Sequence, residues 1–353
     1  MSRILYGVMG DAGGHVSEAL TISQEMPEHE FLFLGGGKTH DLKKWGYNVE
    51  DVPMLSTFYK NNRVDIFRTT ENALRALFTT RRIRKRVADI IRSFDPDLIL
   101  TNYEYFTPLA AADLGRPCVS IDHQHILTHC SYVPPKTQVF SRLMTCSSVR
   151  HLFSNSLVFL IVSFFHLPPI NPETTVVLPP VIRAAARETP SIEGDHVLVY
   201  QTSPTFFTLF PTLKKIDAKF IIYGFGDKPS ENNLVFKPNS IETFLEDLAS
   251  CRYAIINGGH NVICEAIYFG KPILCFPIAN AYEQYFNAYY VSHLGYGEYS
   301  SVANPSKYLF ENFENQVDRF KINIGLKPQI SAKSLIELLN QFILTGKYSL
   351  LIN

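Results

Sequence analysis

The sequence predicts an α/β protein made of two doubly wound parallel sheets, and three observations predict it. Short apolar runs bounded by Gly, Pro or Asp alternate with stretches of helical periodicity along the whole chain. The alternation occurs twice, with a charged segment at residues 183–195 in between. At 353 residues the chain is long for one domain and natural for two.

Composition bounds the function. Hydrophobic residues make up 46% and charged residues 19%, which suits a globular protein with full cores. The formal net charge is zero, so nothing argues for nucleic acid as a partner. Cys118, Cys130, Cys146, Cys251, Cys264 and Cys275 are scattered, without a Cys-x-x-Cys pair. They read as reduced residues of a cytoplasmic protein rather than a disulfide frame or a metal site. The chain opens directly on a strand-like run, so no signal peptide is expected.

In the first half, strands are expected at residues 4–9, 30–34, 97–100, 117–121 and 157–162, and helices at 16–24, 64–93 and 107–113. Residues 152–170 carry no formal charge. Their apolar heart of about ten residues falls short of the roughly twenty that span a bilayer. It is read as a buried parallel strand followed by a loop. Residues 176–183 read as the crossing into the second half, where strands are expected at 196–200, 220–223, 234–236, 253–256 and 273–276. Residues 331–344 again have helical spacing. The expected domains are therefore 1–182 and 183–330, with a final segment at 331–353.

The densest signal is Asn257-Gly258-Gly259-His260-Asn261, which follows the fourth strand of the second half. Two glycines at a strand-to-helix turn let backbone amides and the positive end of a helix face an anion. Glu265 follows on the helix so opened, and its two oxygens can accept from both hydroxyls of a ribose. After the next strand comes Glu283-Gln284, then Asn287-Ala288. A diphosphate at the turn, a diol at the first carboxylate and further hydroxyls at the acid–amide pair outline a nucleotide-sugar.

This stretch resembles the donor-binding signature of GT-B glycosyltransferases, in particular the UDP-glycosyltransferase superfamily and the peptidoglycan N-acetylglucosaminyltransferase-like group. The match runs from Asn257 to Ala288 without a gap. The resemblance implies two Rossmann-like domains facing a cleft, residues 1–182 binding the acceptor and 183–330 the nucleotide-sugar, with the last helix returning to the first domain. It implies that Gly258, Gly259 and Asn261 hold phosphate, that Glu265 holds ribose, and that Glu283 and Gln284 grip the sugar. Thr202 and Ser203 match a loop that approaches the phosphates from the other side. Phe236 and Asn239 fall where relatives bind the base.

Two positions depart from the pattern. Many relatives begin the motif with a His that touches the diphosphate, and this chain has Asn257. His260, three residues on, is either its cationic substitute or a surface residue at a helix start. On the acceptor side, Gly13-Gly14-His15 follows the first strand, and in the family the His of this turn is often the general base. An imidazole suits that task. The Asp that orients it in many relatives is Asn102 here. Glu104 and Asp122 are candidate partners or bases, and Asp11 is a rival base. Gly14, Asn102, His123 and His125 are expected to contact the acceptor, with no metal site in the Asp122–His129 cluster.

The resulting expectation is a metal-independent inverting transfer from a UDP-sugar to an acceptor hydroxyl, with no cofactor beyond that co-substrate. The rivals are a hydrolysing UDP-sugar 2-epimerase and a non-catalytic nucleotide-sugar-binding subunit. The acceptor is a small molecule, a glycan or a lipid-linked compound. The basic run Arg81-Arg82-Ile83-Arg84-Lys85-Arg86 is either a solvated helix face or a contact with the inner face of the membrane.

Overall fold

Strands such as Leu98–Asn102 and Val158–Val162 are buried at every position. A strand buried on both faces belongs inside a parallel sheet covered by helices on each side. The computed structural model describes residues 1–350 apart from Ser203, Asp227, Asn239 and 327–330, and gives only the backbone of Ala73 and residues 75–78. The chain divides into two compact units, Met1–Phe58 with Ile66–Val181 and Ser331–Asn353, and Tyr59–Asp65 with Ile182–Ile330.

Numbered along the chain, the strands of the first half are β1 (Arg3–Val8), β2 (Glu30–Gly35), β3 (Asn48–Asp51), β4 (Tyr59–Lys60), β5 (Arg63–Val64), β6 (Leu98–Asn102), β7 (Val119–Asp122), β8 (Val158–Val162) and β9 (Thr175–Leu178). Those of the second half are β10 (Val197–Tyr200), β11 (Phe220–Tyr223), β12 (Leu234–Phe236), β13 (Tyr253–Ile256), β14 (Ile273–Cys275) and β15 (Gly297–Tyr299). Among the described residues the first unit holds one parallel sheet in the order β3-β2-β1-β6-β7-β8-β9. The second holds another in the order β12-β11-β10-β13-β14-β15.

Both sheets place a functional edge by the same rule. In each, the chain winds outward on one side of a central strand and then restarts on the other. The crevice beyond the carboxyl ends of the strands flanking that switch is where open α/β sheets bind ligands. In the first unit the switch lies between β1 and β6, so the turn after β1, with His15, meets the end of β6, with Asn102. In the second it lies between β10 and β13, so the loop at Thr202 meets the turn at Gly258. Sequence patterning alone brings these four segments to two sheet edges.

The second unit contains an excursion that the sequence does not announce. Strands β4 and β5 form an antiparallel hairpin. Val64 N donates to Ala279 O (3.0 Å), Ala279 N to Asn62 O (2.9 Å), and Asn62 N to Thr205 Oγ1 (2.8 Å). The hairpin thereby ties the loop after β10 to the loop after β14. The short edge strands β3, β9 and β15 are also unannounced. Residues 176–183, read as the domain crossing, supply most of β9 before the chain leaves the first unit.

The helix Lys333–Thr345 completes the core of the first unit. Its Leu335, Leu339 and Phe342 are buried together with Ile4, Tyr6 and Leu160 of the sheet. Leu339 is fully buried, so Leu339→Ala is expected to destabilise the first unit by about 2–5 kcal/mol, from lost transfer energy plus the cavity left behind. Urea unfolding of wild type and variant checks this, with the second unit's transition unmoved.

Candidate functional site

In the second unit the site begins at the turn between β13 and the helix His260–Tyr268. Gly258 has φ +102°, and a Cβ there would stand 2.5 Å from the carbonyl oxygen of Gln284. Only glycine combines that backbone with that approach. Asn287 Nδ2 reaches back to the Gly258 carbonyl (3.1 Å), which pins the turn from the other side. Gly259 is the N-cap, and a Cβ on it would meet nothing within 4 Å. The first intrahelical bond is Ile263 N to Gly259 O. A side chain at Gly259 would enter open space, and the leading amides of this helix lie ahead of the first intrahelical bond, at its positive end.

Asn257 is buried and makes three bonds. Its Oδ1 accepts Thr202 N–H (2.6 Å), and its Nδ2 donates to Gln201 Oε1 (2.5 Å) and Phe276 O (3.3 Å). An amide can accept and donate twice in this way, and an imidazole cannot. Asn257 takes the Thr202 amide, and the Thr202 side chain bonds Tyr200. Ser203 lies outside the described residues. His260 is 7% exposed, so it is not the surface helix-start residue considered above. Its Nδ1 lies 3.1 Å from Asn261 Oδ1 and its Nε2 3.4 Å from Cys264 Sγ.

Glu265 is buried and already paired. Arg183 grips both of its oxygens, Nε at 2.5 Å and Nη2 at 2.7 Å. Burial opposes the charge of Arg183, and Glu265 more than restores it, raising the pKa. A carboxylate has about four acceptor directions, so the fork leaves some of them open. Glu283 is half-buried in the first turn of the helix Tyr282–His293. Beside it, Gln284 accepts Ile278 N–H at Oε1 (3.1 Å), which sets the orientation of its amide. Phe236 ends β12 with its ring edge against Phe210, which packs on Phe225. Asn239 lies outside the described residues.

In the first unit, the helix Gly13–Gln24 starts three residues before the periodicity suggests and carries His15 in its first turn. His15 Nδ1 is 2.6 Å from Asn102 Oδ1. The amide oxygen only accepts, so Nδ1 carries the proton and Nε2 is left as the basic nitrogen. The ring stacks on Tyr103 (centroids 5.9 Å apart, planes at 10°). Tyr103 has φ +53°, a strained backbone for an aromatic residue, and is held there by stacking on Phe153 at 3.9 Å. Gly14 is half-buried in the same turn, and Asp11 Oδ2 accepts Thr57 N–H (2.9 Å).

The other acidic and histidine candidates face inward. Glu104 is 3% exposed and its two oxygens accept the N–H groups of Phe106 (2.8 Å) and Thr107 (2.6 Å). It satisfies the start of the helix Phe106–Asp113, which corrects its expected role as a base. Asp122 is 1% exposed, taking bonds from Ser120 Oγ (2.6 Å) and from His125 Nδ1 (2.7 Å). Burial disfavours its ionisation, yet His125 and Ser120 hold its carboxyl below the usual range. His123 lies with Nδ1 3.0 Å from Val162 O, and both His123 and His125 are buried. Asp122, His123 and His125 thus build the interior beneath β7 and do not form an acceptor surface. Among the described residues no group of three or more His, Cys, Asp or Glu side chains is placed to hold a metal ion.

With this geometry in hand, the sequence profile of glycosyl transferase family 1 matches residues 2–317. The chain belongs to glycosyl transferase family 1. A protein of Methanosarcina acetivorans named "Uncharacterized glycosyltransferase" is 26% identical over 339 residues, spanning 88% of either chain. MurG of Acinetobacter baumannii is similar in fold, with a TM-score of 0.61 and 15% identity over 97% of this chain and 100% of that one. So is the Streptomyces sp. SF2575 glycosyltransferase SsfS6, solved with thymidine diphosphate, with a TM-score of 0.61 and 16% identity over 97% and 100%. The two parallel-sheet units are those of the GT-B fold.

For this glycosyltransferase, family membership selects sugar transfer over the epimerase and the binding-subunit rivals. It leaves one site residue that sequence reasoning missed. Arg183 stands after Pro179-Pro180-Val181-Ile182 at the head of an alanine-rich helix, where it reads as linker charge. A lone cation before an apolar turn was the available signal.

Behind His15 the fold buries Glu18 and the Tyr6 hydroxyl beside the Asn102 amide. Burial, reinforced by the Asp122 charge, raises the Glu18 pKa from 4.5 to about 8. Between those values the unfolded chain gives up a proton that the folded chain keeps. Stability is therefore fully present below the unfolded pKa and is lost as pH rises through the folded one. Glu18→Gln is expected to flatten that decline. Urea unfolding of the first unit at about pH 5 and about pH 8 measures it.

Proposed function

We propose that this glycosyltransferase moves a sugar from a UDP-sugar to an acceptor hydroxyl, with inversion and without a metal ion or further cofactor. The observation that carries the reading is the open helix start at Gly258-Gly259, with the buried carboxylate of Glu265 on the same helix. The helix end and its amides take the charge that builds on the leaving diphosphate. A charge at such a terminus gains about 0.3–1 kcal/mol when exposed and up to about 2 when partly buried. The contribution grows where water is excluded. Glu265 holds the ribose diol from the side that Arg183 leaves open. Asn261 assists at the phosphates, and Glu283 with Gln284 grips the sugar.

The thymidine diphosphate bound to SsfS6 suggests the sharper test, because that nucleotide lacks one hydroxyl of the diol. Glu265→Gln keeps the shape of the side chain and removes its charge. It is expected to weaken UDP by about 1–3 kcal/mol, the range for charge-assisted hydrogen bonds, and to weaken thymidine diphosphate less. Calorimetry of both nucleotides against both proteins measures this. Unchanged UDP affinity in a folded variant would remove Glu265 from the donor site. An equal loss for the two nucleotides would place it elsewhere on the ligand.

On the acceptor side, His15 Nε2 takes the proton of the attacking hydroxyl, and Asn102 holds the tautomer that makes this possible. No charge sits at position 102, so the pair works as a neutral dyad. The acceptor is a small molecule, a glycan or a lipid-linked compound. His15→Ala is expected to keep nucleotide binding and to slow transfer by about 10²–10⁴-fold, the range for a positioned base. Product formation under saturating donor reads it. If activity survives, Asp11 becomes the base.

A further inference from the structure

The most unusual surface of the first unit lies on the helix Val139–Ser148. Large apolar side chains cover its solvent face: Val139 is 47% exposed, Phe140 64%, Leu143 58% and Met144 47%. Spaced at 139, 143 and 140, 144, they form one continuous stripe at helical periodicity. On the opposite side Ser141 is buried, and at the margin of the stripe Cys146 bonds Leu127 O, so the helix is anchored with the stripe outward. A soluble surface rarely leaves four adjacent large apolar residues bare.

The segment that carries the stripe has charge of one sign. Between Asp122 and Glu173 the sequence has no acidic residue, while Lys136, Arg142 and Arg150 fall within that interval. Lys136 and Arg150 are exposed at the two ends of the helix. The basic run at residues 81–86 offers a contrast, because Arg84 is paired with Asp113 and Arg86 with Glu50. That run is partly neutralised by ion pairs, whereas among the described residues Lys136, Arg142 and Arg150 enter none.

We propose that this face docks on an anionic lipid surface, with the stripe entering the boundary between headgroups and acyl chains and the flanking cations meeting lipid charge. An apolar face flanked by cations and free of acids is the pattern of a helix lying in a membrane interface. No helix among the described residues is long and apolar enough to cross a membrane, so the contact is made from one side. The inference does not depend on the identity of donor or acceptor.

Flotation of the full chain with vesicles tests it, using phosphatidylcholine alone and phosphatidylcholine mixed with phosphatidylglycerol. Wild type is expected to float with the anionic vesicles and to be released by salt, since exposed charges are screened. Phe140→Ser combined with Leu143→Ser is expected to weaken binding by more than about tenfold, given the apolar area withdrawn from lipid. Lys136→Glu with Arg150→Glu should abolish the preference for anionic vesicles. Both variants change exposed residues, and an unaltered thermal melt and UDP titration would show them folded. Absent binding by wild type, or equal binding by wild type and the apolar variant, overturns the proposal. So does a dimer in sedimentation that the same apolar substitutions dissociate, because the face would then belong to a second copy of the chain.

Discussion

The second unit depends on one buried amide. Asn257 joins the ends of β10, β13 and β14 through Thr202 N, Gln201 Oε1 and Phe276 O. Each of these strands stops near the sheet edge, where its last backbone groups lose their ladder partners and must find others. One side chain satisfies two of them, Thr202 N–H and Phe276 O, and ties down the Gln201 side chain as well. The cost of removing it exceeds one hydrogen bond, since each buried group left unpaired is penalised by about 1–3 kcal/mol. With the three ends fixed, Gly258 can lie against Gln284, and the helix start at Gly259 can face open space.

Arg183 and Glu265 pose a different balance. A buried ion pair gains Coulomb energy but loses the hydration of two charges, so its net worth is small while the loss of one partner is severe. A pair of this kind is poorly explained by stability alone. In the proposed donor site the fork has another use, because it holds the carboxylate in one orientation before any ligand arrives. Pre-organisation of this kind saves ordering cost at binding.

The sheet strands were legible in the sequence because burial on both faces leaves a continuous apolar run, and punctuation by Gly, Pro or Asp marks its ends. β11, β12 and β13 fall where that pattern puts them. The edge strands β3, β9 and β15 were not legible. Asn48–Asp51 has two acids and one apolar residue, and its pairing with β2 is a tertiary fact. The glycine turn, Glu265 and His15 could be found as motifs, since their spacing encodes local geometry. The inward orientation of Glu104, Asp122, His123 and His125 could not, because their burial depends on the layers packed over them, even though Glu104 and Asp122 bond groups only two or three residues away. Asn102 shows the reverse case. Its substitution for Asp puts the expected dyad in doubt at the level of sequence, and the geometry restores the contact in neutral form.

The helix Lys333–Thr345 has a consequence for the order in which the protein is made. Its Leu335, Leu339 and Phe342 close the same core as β1, yet they are synthesised long after it, with the whole second unit in between. At about 5–20 residues per second, tens of seconds separate the two. Throughout that interval the first sheet carries an uncovered apolar trough, while the second unit, complete by about residue 325, has everything it needs. Synthesis therefore inverts the usual vectorial order, with the later unit able to mature before the earlier one. Until residues 333–345 emerge, the apolar residues of β1 lack the helix that covers them in the folded chain.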